Sequence, residues 1–214
     1  MSSLLILGAG GHAKVLAETA LASGQFSEVA FLDDRCCGPD QLPSVLGFPV
    51  LGPLALALEL IHREQFASAS VALGNATLRL NWIEQLDAAG YALPALIHPT
   101  AWVSPSAQIA SGSVVLAQAA LQALASIGVG SILNTGCSID HDAQLEGGVH
   151  ICPGARLSGE VQVGARTWIG IGASVIQQVR IGADVTVGAG AAVVRDLPDG
   201  VTAVGVPARV LPRL

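Results

Sequence analysis

From Val103 to Val193 every sixth residue is aliphatic, over sixteen positions without an exception. They are Val103, Ile109, Val115, Leu121, Ile127, Leu133, Ile139, Leu145, Ile151, Leu157, Val163, Ile169, Val175, Ile181, Val187 and Val193. A lone strand repeats every second residue and a helix about every 3.6, so a sustained period of six marks a parallel β-helix. Four residues after each aliphatic the side chain is mostly small or β-branched, as at Ser113, Ala119, Ala125, Ser131, Cys137 and Ala143. A large and a small inward side chain per six residues suit one flat face of a triangular coil. Three faces make a coil of eighteen residues, and sixteen repeats make about five coils stacked at roughly 4.8 Å. Gly128, Gly164, Gly170, Gly182 and Gly188 are expected at the corners, where the chain must turn. The period does not set the hand of the coil, and parallel crossovers in general favour the right-handed one.

Upstream of His98-Pro99 the rhythm is different, which divides the chain into residues 1–97 and 98–214. Apolar runs at 4–7, 29–32 and 70–73 read as strands of a small parallel sheet, and 12–23, 54–63 and 79–89 read as helices. In the first helix Val15, Leu16, Thr19 and Ala20 are expected to face inward.

Ten Lys and Arg against sixteen Asp and Glu give a net charge of -6, which provides no basic stripe for nucleic acid. No apolar stretch long enough for a membrane span is free of Gly, Pro and charge, and no basic residue precedes the first apolar run as in a signal peptide. A cytoplasmic protein without a membrane partner is expected. Cys36, Cys37, Cys137 and Cys152 lack metal-ligand spacing, so no metal is expected and the thiols read as small buried hydrophobes.

The turn Gly8-Ala9-Gly10-Gly11-His12-Ala13-Lys14 follows the first strand and opens a helix, an arrangement that aims backbone N–H groups at a phosphate. A dinucleotide-dehydrogenase fingerprint is not supported, because the sheet is too short for two mononucleotide halves and a β-helix follows it. Further along stand Leu32-Asp33-Asp34, Ala72-Leu73-Gly74-Asn75, Ile97-His98-Pro99, Asn134-Thr135, Asp140-His141-Asp142 and Gly205-Val206-Pro207-Ala208. In this order, over nearly the whole chain, these motifs resemble the left-handed hexapeptide-repeat acyltransferases. The resembled branch holds the bacterial bacillosamine and perosamine N-acetyltransferases and the sialic acid O-acetyltransferases.

The resemblance implies a Rossmann-like domain followed by a left-handed β-helix, assembled as a homotrimer with acetyl-CoA between neighbouring β-helices. The implied reaction is N-acetylation of a nucleotide-linked amino sugar, UDP-linked, for surface glycan synthesis. A sugar O-acetyltransferase of the sialic acid type, or a non-catalytic sugar-nucleotide-binding scaffold, is the alternative. Gly10, Gly11, His12, Gly74 and Asn134 match acceptor-sugar positions; Asp33 and Asp34, at the carboxyl end of a strand, offer carboxylates to a ribose hydroxyl or base N–H.

His150, Ile171 and Ala189 match acetyl-CoA positions, and Arg209 and Arg213 could reach its phosphates. The outward column Val114, Ile132, His150, Trp168 and Thr186 reads as a subunit seam. An amine attacking a thioester must lose a proton, and a positioned base contributes roughly 10²–10⁴-fold. Of the five histidines His141 matches the family's base, with Asp142, or else Asp140, as the carboxylate orienting it. Eighteen residues on, the N–H of Gly159 could meet the thioester oxygen as it becomes an oxyanion.

Overall fold

A computed structural model describes residues 2–36 and 42–212 and divides into two compact units, Met1–Pro99 and Thr100–Leu214. Cys37 and Arg213 lie outside the described residues.

In the first unit the described strands form one sheet in the order β3-β4-β2-β1-β5, with β1 Ser3–Leu7, β2 Glu28–Leu32, β3 Ser44–Val45, β4 Phe48–Gly52 and β5 Ser68–Val71. All neighbours run parallel except the β3–β4 hairpin, which stands within a Gly- and Pro-rich passage that carries no strand signal. Leu4 to Leu7 are fully buried, so β1 reads as an unbroken apolar run because both its faces are covered. Leu5 and Leu7 share a cluster with Ile83 and Leu86 of α3 (Ala76–Ala88), and Leu4 and Ile6 point to the other face by strand alternation.

Helix α1 (Gly11–Ala22) buries Ala13, Leu16, Ala17, Thr19 and Ala20, while Val15 is exposed, contrary to the inward face expected for it. The apolar stripe is therefore carried mostly by alanines, which the hydrophobic pattern underweights. The single helix expected over 54–63 is two pieces, a 3₁₀ turn Leu54–Leu58 and α2 Leu60–Gln65, because Glu59 is extended at ψ 142°. Helix α3 starts three residues before the expected Arg79, at Ala76, where the Asn75 side chain accepts the Leu78 N–H at 2.9 Å as an N-cap.

The second unit is a left-handed β-helix. Two-residue strands recur every six residues from Trp102–Val103 to Ala192–Val193, and each as far as Ser174–Val175 pairs in parallel with the strand eighteen residues on. Of the sixteen periodic aliphatics fourteen are buried; Val103 and Ile109, in the first coil, are half-buried. The small positions lie inside as well. Where they are polar they are satisfied: Thr167 donates to the Gly182 carbonyl at 2.7 Å and accepts the Val185 N–H at 3.0 Å.

The corners turn differently from the expectation. At fourteen successive positions six apart, from Gly112 to Gly190, φ is positive, and half of these residues, Asp142 and Glu160 among them, are not glycine. None of Gly128, Gly164, Gly170, Gly182 and Gly188 has a positive φ. They lack a side chain for another reason: a Cβ on Gly164 would lie 2.4 Å from the Ala183 N, and one on Gly128 2.5 Å from the Glu146 carbonyl carbon. Close approach of the next coil, rather than backbone freedom, requires glycine there. Among the described residues no helix is long and apolar enough to cross a membrane.

Gly164→Ala should therefore cost about 3 kcal/mol or more, the upper end for overpacking, because the obstructing neighbour is backbone. Gly172→Asn should cost less than about 1 kcal/mol, since φ is +65° there, nothing lies within 4 Å of its Cβ, and Asn tolerates that region. Urea unfolding of the two variants checks this; equal losses would remove the close-approach explanation.

Candidate functional site

His141 and Asp142 occupy one β-helix corner, between the inward Ile139 and the inward Ala143. Asp142 has φ +57°, a region that Asp enters more readily than most residues, and this bend turns its carboxylate back toward its neighbour. The His141 Nδ1 stands 2.8 Å from Asp142 Oδ2. Asp140 has a different task, since its Oδ1 accepts the His141 backbone N–H at 2.8 Å. Of the two candidate carboxylates, Asp142 is the one paired with the ring.

The hydrogen bond to Asp142 raises the His141 pKa above its ordinary 6.5, and the nearby charges of Asp140, Asp142 and Glu160 act in the same direction. With Nδ1–H donated to the carboxylate, Nε2 is the nitrogen left to take a proton. The ring is about half exposed, so a substrate can reach it.

Gly159 lies one coil on, beneath the imidazole. A Cβ there would stand 2.5 Å from both Cε1 and Nε2 of His141, so the ring occupies the space a side chain would fill. The Gly159 carbonyl accepts the Gln178 N–H at 3.0 Å, and its own N–H has no partner among the described residues. The Asp142 side of the pair borders a polar cavity of about 530 Å³ lined also by Gln144, Glu160, Gln162, Gln178 and Arg180. A larger cavity, of about 680 Å³, is lined by Glu146, Asp196 and Asp199 among others and holds no histidine.

A separate groove of about 420 Å³ brings together Asn134, His150, Trp168, Ile171, Thr186 and Ala189. Its lining is mostly apolar, His150 is buried against Trp168 with ring centroids 4.1 Å apart, and the His150 Nε2 lies 3.3 Å from Asn134 Nδ2. Asn134, matched to the acceptor by sequence, thus sits among the residues matched to acetyl-CoA. The outward column is not uniformly exposed: Val114 and Ile132 are already buried within the chain, leaving Trp168 and Thr186 as its open part. Arg209 is exposed and donates to its neighbour's carbonyl, that of Ala208. Cys36, Cys137 and Cys152 are buried free thiols, and burial pushes Cys137 up to about 12.

In the first unit Gly10 and Gly11 line a cavity of about 310 Å³ with Lys14, Arg35 and the hairpin residues Ser44, Val45 and Leu46. His12, Asp33, Asp34 and Gly74 do not line it. Asp33 does not offer free lone pairs: it accepts the Ala9 N–H at 2.7 Å and a two-point contact from Arg35, whose side chain holds its pKa down at about 2. Asp34 accepts the Leu54 N–H at 3.0 Å and so caps the following 3₁₀ turn. Asp33 is thus occupied at both oxygens by the chain itself, while exposed Asp34 keeps Oδ2 open among the described residues.

His12 is held neutral, at about 4, by burial and by the charge of Arg79, and its Nε2 has no partner among the described residues. Arg79 was not marked as a site by the sequence pattern. It is fully buried and donates from Nη1 to the Leu73 and Gly74 carbonyls at 2.7 and 3.0 Å, which ties down the end of β5 where Gly74 stands. Arg35 and Lys14 were missed too, although a cation two residues after a strand-end acid was a readable signal.

The chain matches the PglD N-terminal domain family over residues 3–86. It is 47% identical to the acetyltransferase domain of PglB from Neisseria gonorrhoeae, over 99% of this chain and 100% of that one, with a TM-score of 0.93. The same domain in complex with acetyl coenzyme A gives 48% identity over 98% of each chain and a TM-score of 0.92. PerB from Caulobacter crescentus, in complex with CoA and GDP-perosamine, is 40% identical over 99% of this chain and 98% of its own, with a TM-score of 0.92. Among curated proteins none matches.

The contact between His141 and Gly159 yields a test that separates site from fold. Gly159 has no positive φ, so Gly159→Ala should fold with a nearly unchanged Tm; the new methyl meets only the end of a flexible side chain and should displace the imidazole from Asp142. The His141 pKa, followed by NMR, should then fall toward 6.5, as it should in Asp142→Asn. A pKa unmoved in both variants would mean that the pair does not set the basicity of His141.

Proposed function

The chain belongs to the bacterial sugar N-acetyltransferases related to the PglB acetyltransferase domain and PerB, and from that membership we propose that it acetylates a nucleotide-linked amino sugar, with His141 as general base. Acetyl-CoA is the acyl donor. The observation that carries the proposal is the His141–Asp142 pair, exposed on a β-helix corner with Nε2 over a glycine.

The neutral imidazole takes a proton from the acceptor amine at Nε2 as the amine attacks the thioester carbonyl. Asp142 holds Nδ1–H, which orients the ring and stabilises the imidazolium that forms. The Gly159 N–H, without a partner among the described residues, is the donor for the oxygen that becomes negative as the carbonyl carbon turns tetrahedral. Collapse expels the CoA thiolate, which leaves as the thiol once protonated, and His141⁺ is the acid at hand. Because the His141 pKa is raised, the base is competent only above an acid limb that lies above pH 6.5. Removing the carboxylate moves that limb to lower pH.

For the donor we assign the groove of His150, Trp168, Ile171 and Ala189, whose apolar walls suit the pantetheine arm. His141 belongs to a different six-residue segment of the coil, so His141 and the groove of one chain stand on different edges of a triangular prism. A trimer resolves this if each His141 works with the groove of a second copy. For the acceptor we assign the first unit, with Gly10 and Gly11 at the phosphates. UDP is the nucleotide implied by the sequence resemblance, and GDP is the one PerB carries.

CoA release with a panel of UDP-, GDP- and dTDP-linked amino sugars tests the acceptor class; activity with free sialic acid alone would overturn it. His141→Ala should fold and bind both ligands yet lose at least about a hundredfold in kcat. Wild-type turnover at saturation would reject direct transfer through this base. If the site is shared between copies, His141→Ala and Ile171→Arg, each inactive alone, should regain activity when refolded together, whereas a site within one chain would stay silent.

A further inference from the structure

Asp33 lies where a ligand contact was expected, and its oxygens are already taken. Oδ2 accepts Ala9 N–H at 2.7 Å and Arg35 Nη2 at 2.9 Å, and Oδ1 accepts Arg35 Nε at 2.8 Å and the Arg35 backbone N–H at 3.0 Å. What this arrangement presents outward is the guanidinium. Its Nε–Nη2 edge is fixed on the carboxylate, its Nη1 has no partner among the described residues, and its side chain is 56% exposed against 13% for Asp33.

We propose that Arg35 is a substrate-contacting residue that sets affinity for the diphosphate of the nucleotide-linked sugar, with Asp33 as the positioning residue that holds its guanidinium. The proposal rests on the acceptor class given above. An arginine free on a surface must give up much of its rotamer freedom to bind an anion. Here that ordering is done before the ligand arrives, because Ala9 belongs to the glycine turn and the Asp33 bond ties the guanidinium to the same turn.

The setting selects for an anion. Arg35 lines the cavity with Gly10, Gly11 and Lys14, and a Cβ on Gly10 would lie 4.0 Å from Arg35 Nη2. Among the described residues no carboxylate lines this cavity, and no acidic residue stands in the first turn of α1. Two cations beside a pair of glycines match the two negative charges of a diphosphate better than they match a neutral ribose or base.

Calorimetric titration of UDP, GDP, uridine and guanosine into the full-length protein tests this. Arg35→Ala should weaken UDP and GDP by at least about tenfold, as expected for loss of a charged hydrogen bond, with the nucleosides little affected. Arg35→Lys should recover part of the affinity. In turnover the acceptor KM should rise while kcat and the acetyl-CoA KM stay near wild type. Asp33→Asn should weaken UDP in the wild-type background and have no further effect in Arg35→Ala, because it acts through the guanidinium.

Diphosphate affinity unchanged in Arg35→Ala overturns the proposal while leaving the acceptor class intact. A wild-type protein that binds neither UDP nor GDP overturns the acceptor class itself. Equal weakening of nucleosides and diphosphates, or an Asp33→Asn effect that persists without Arg35, overturns the diphosphate contact and the positioning role respectively.

Discussion

Each coil of the β-helix is held to the next by backbone hydrogen bonds that repeat at eighteen residues, on the faces and at the corners alike. On one face His150 N–H donates to the Thr167 carbonyl at 2.9 Å and Trp168 N–H to that of Val185 at 2.8 Å. At the His141 corner the Asp142, Glu160 and Gln178 N–H groups donate to the carbonyls of Ala123, His141 and Gly159, at 3.0, 2.9 and 3.0 Å. A two-residue strand is too short to persist alone, so this ladder and the buried aliphatic column are what make the strands exist. The ladder also supports seven non-glycine corners with positive φ, a conformation that costs roughly 1–2 kcal/mol per residue in isolation.

The same ladder builds the corner that carries His141 and Asp142. Because register between coils is exact to the residue, position 159 lies under position 141, and a glycine there opens room for an imidazole. At this corner the ladder takes up the His141 and Gly159 carbonyls and the N–H groups at the left-handed positions, and the Gly159 N–H has no partner among the described residues. A rigid solenoid can therefore hold an imidazole and a backbone N–H side by side without a mobile loop to carry either. The first unit fixes its cation by a different device, a local carboxylate clamp between the glycine turn and the end of β2. In both units an acidic side chain orients the group proposed to meet substrate.

Hydrophobicity alone misjudges residues whose place is set by a hydrogen bond. In α3 Leu78 is exposed and Arg79 is fully buried, the reverse of what hydrophobicity alone assigns. Arg79 goes inward because the carbonyls of Leu73 and Gly74 at the end of β5 need a donor, and a guanidinium can serve both. Asp33 and Asp34 look alike as neighbouring acids at a strand end, yet one clamps Arg35 and the other caps the turn at Leu54. The glycines of the corners were correctly located as special and wrongly explained, since spacing records that a side chain is excluded but not whether φ or a neighbouring coil excludes it.

The sequence by itself determined the β-helix, because an inward aliphatic every sixth residue can be buried in no other regular way, and it singled out His141 through the motif Asp140-His141-Asp142. It determined the α/β rhythm of the first unit for the same reason, that alternation and period follow from which side chains must leave water. Only the tertiary structure decided which carboxylate holds the imidazole, why residue 159 must lack a side chain, and that Asp33 pairs with Arg35. Those outcomes depend on angles and on approaches between residues up to eighteen or more positions apart. A linear pattern carries the spacing of such residues, but the direction in which a lone pair or an N–H points is set only when the chain has closed around it.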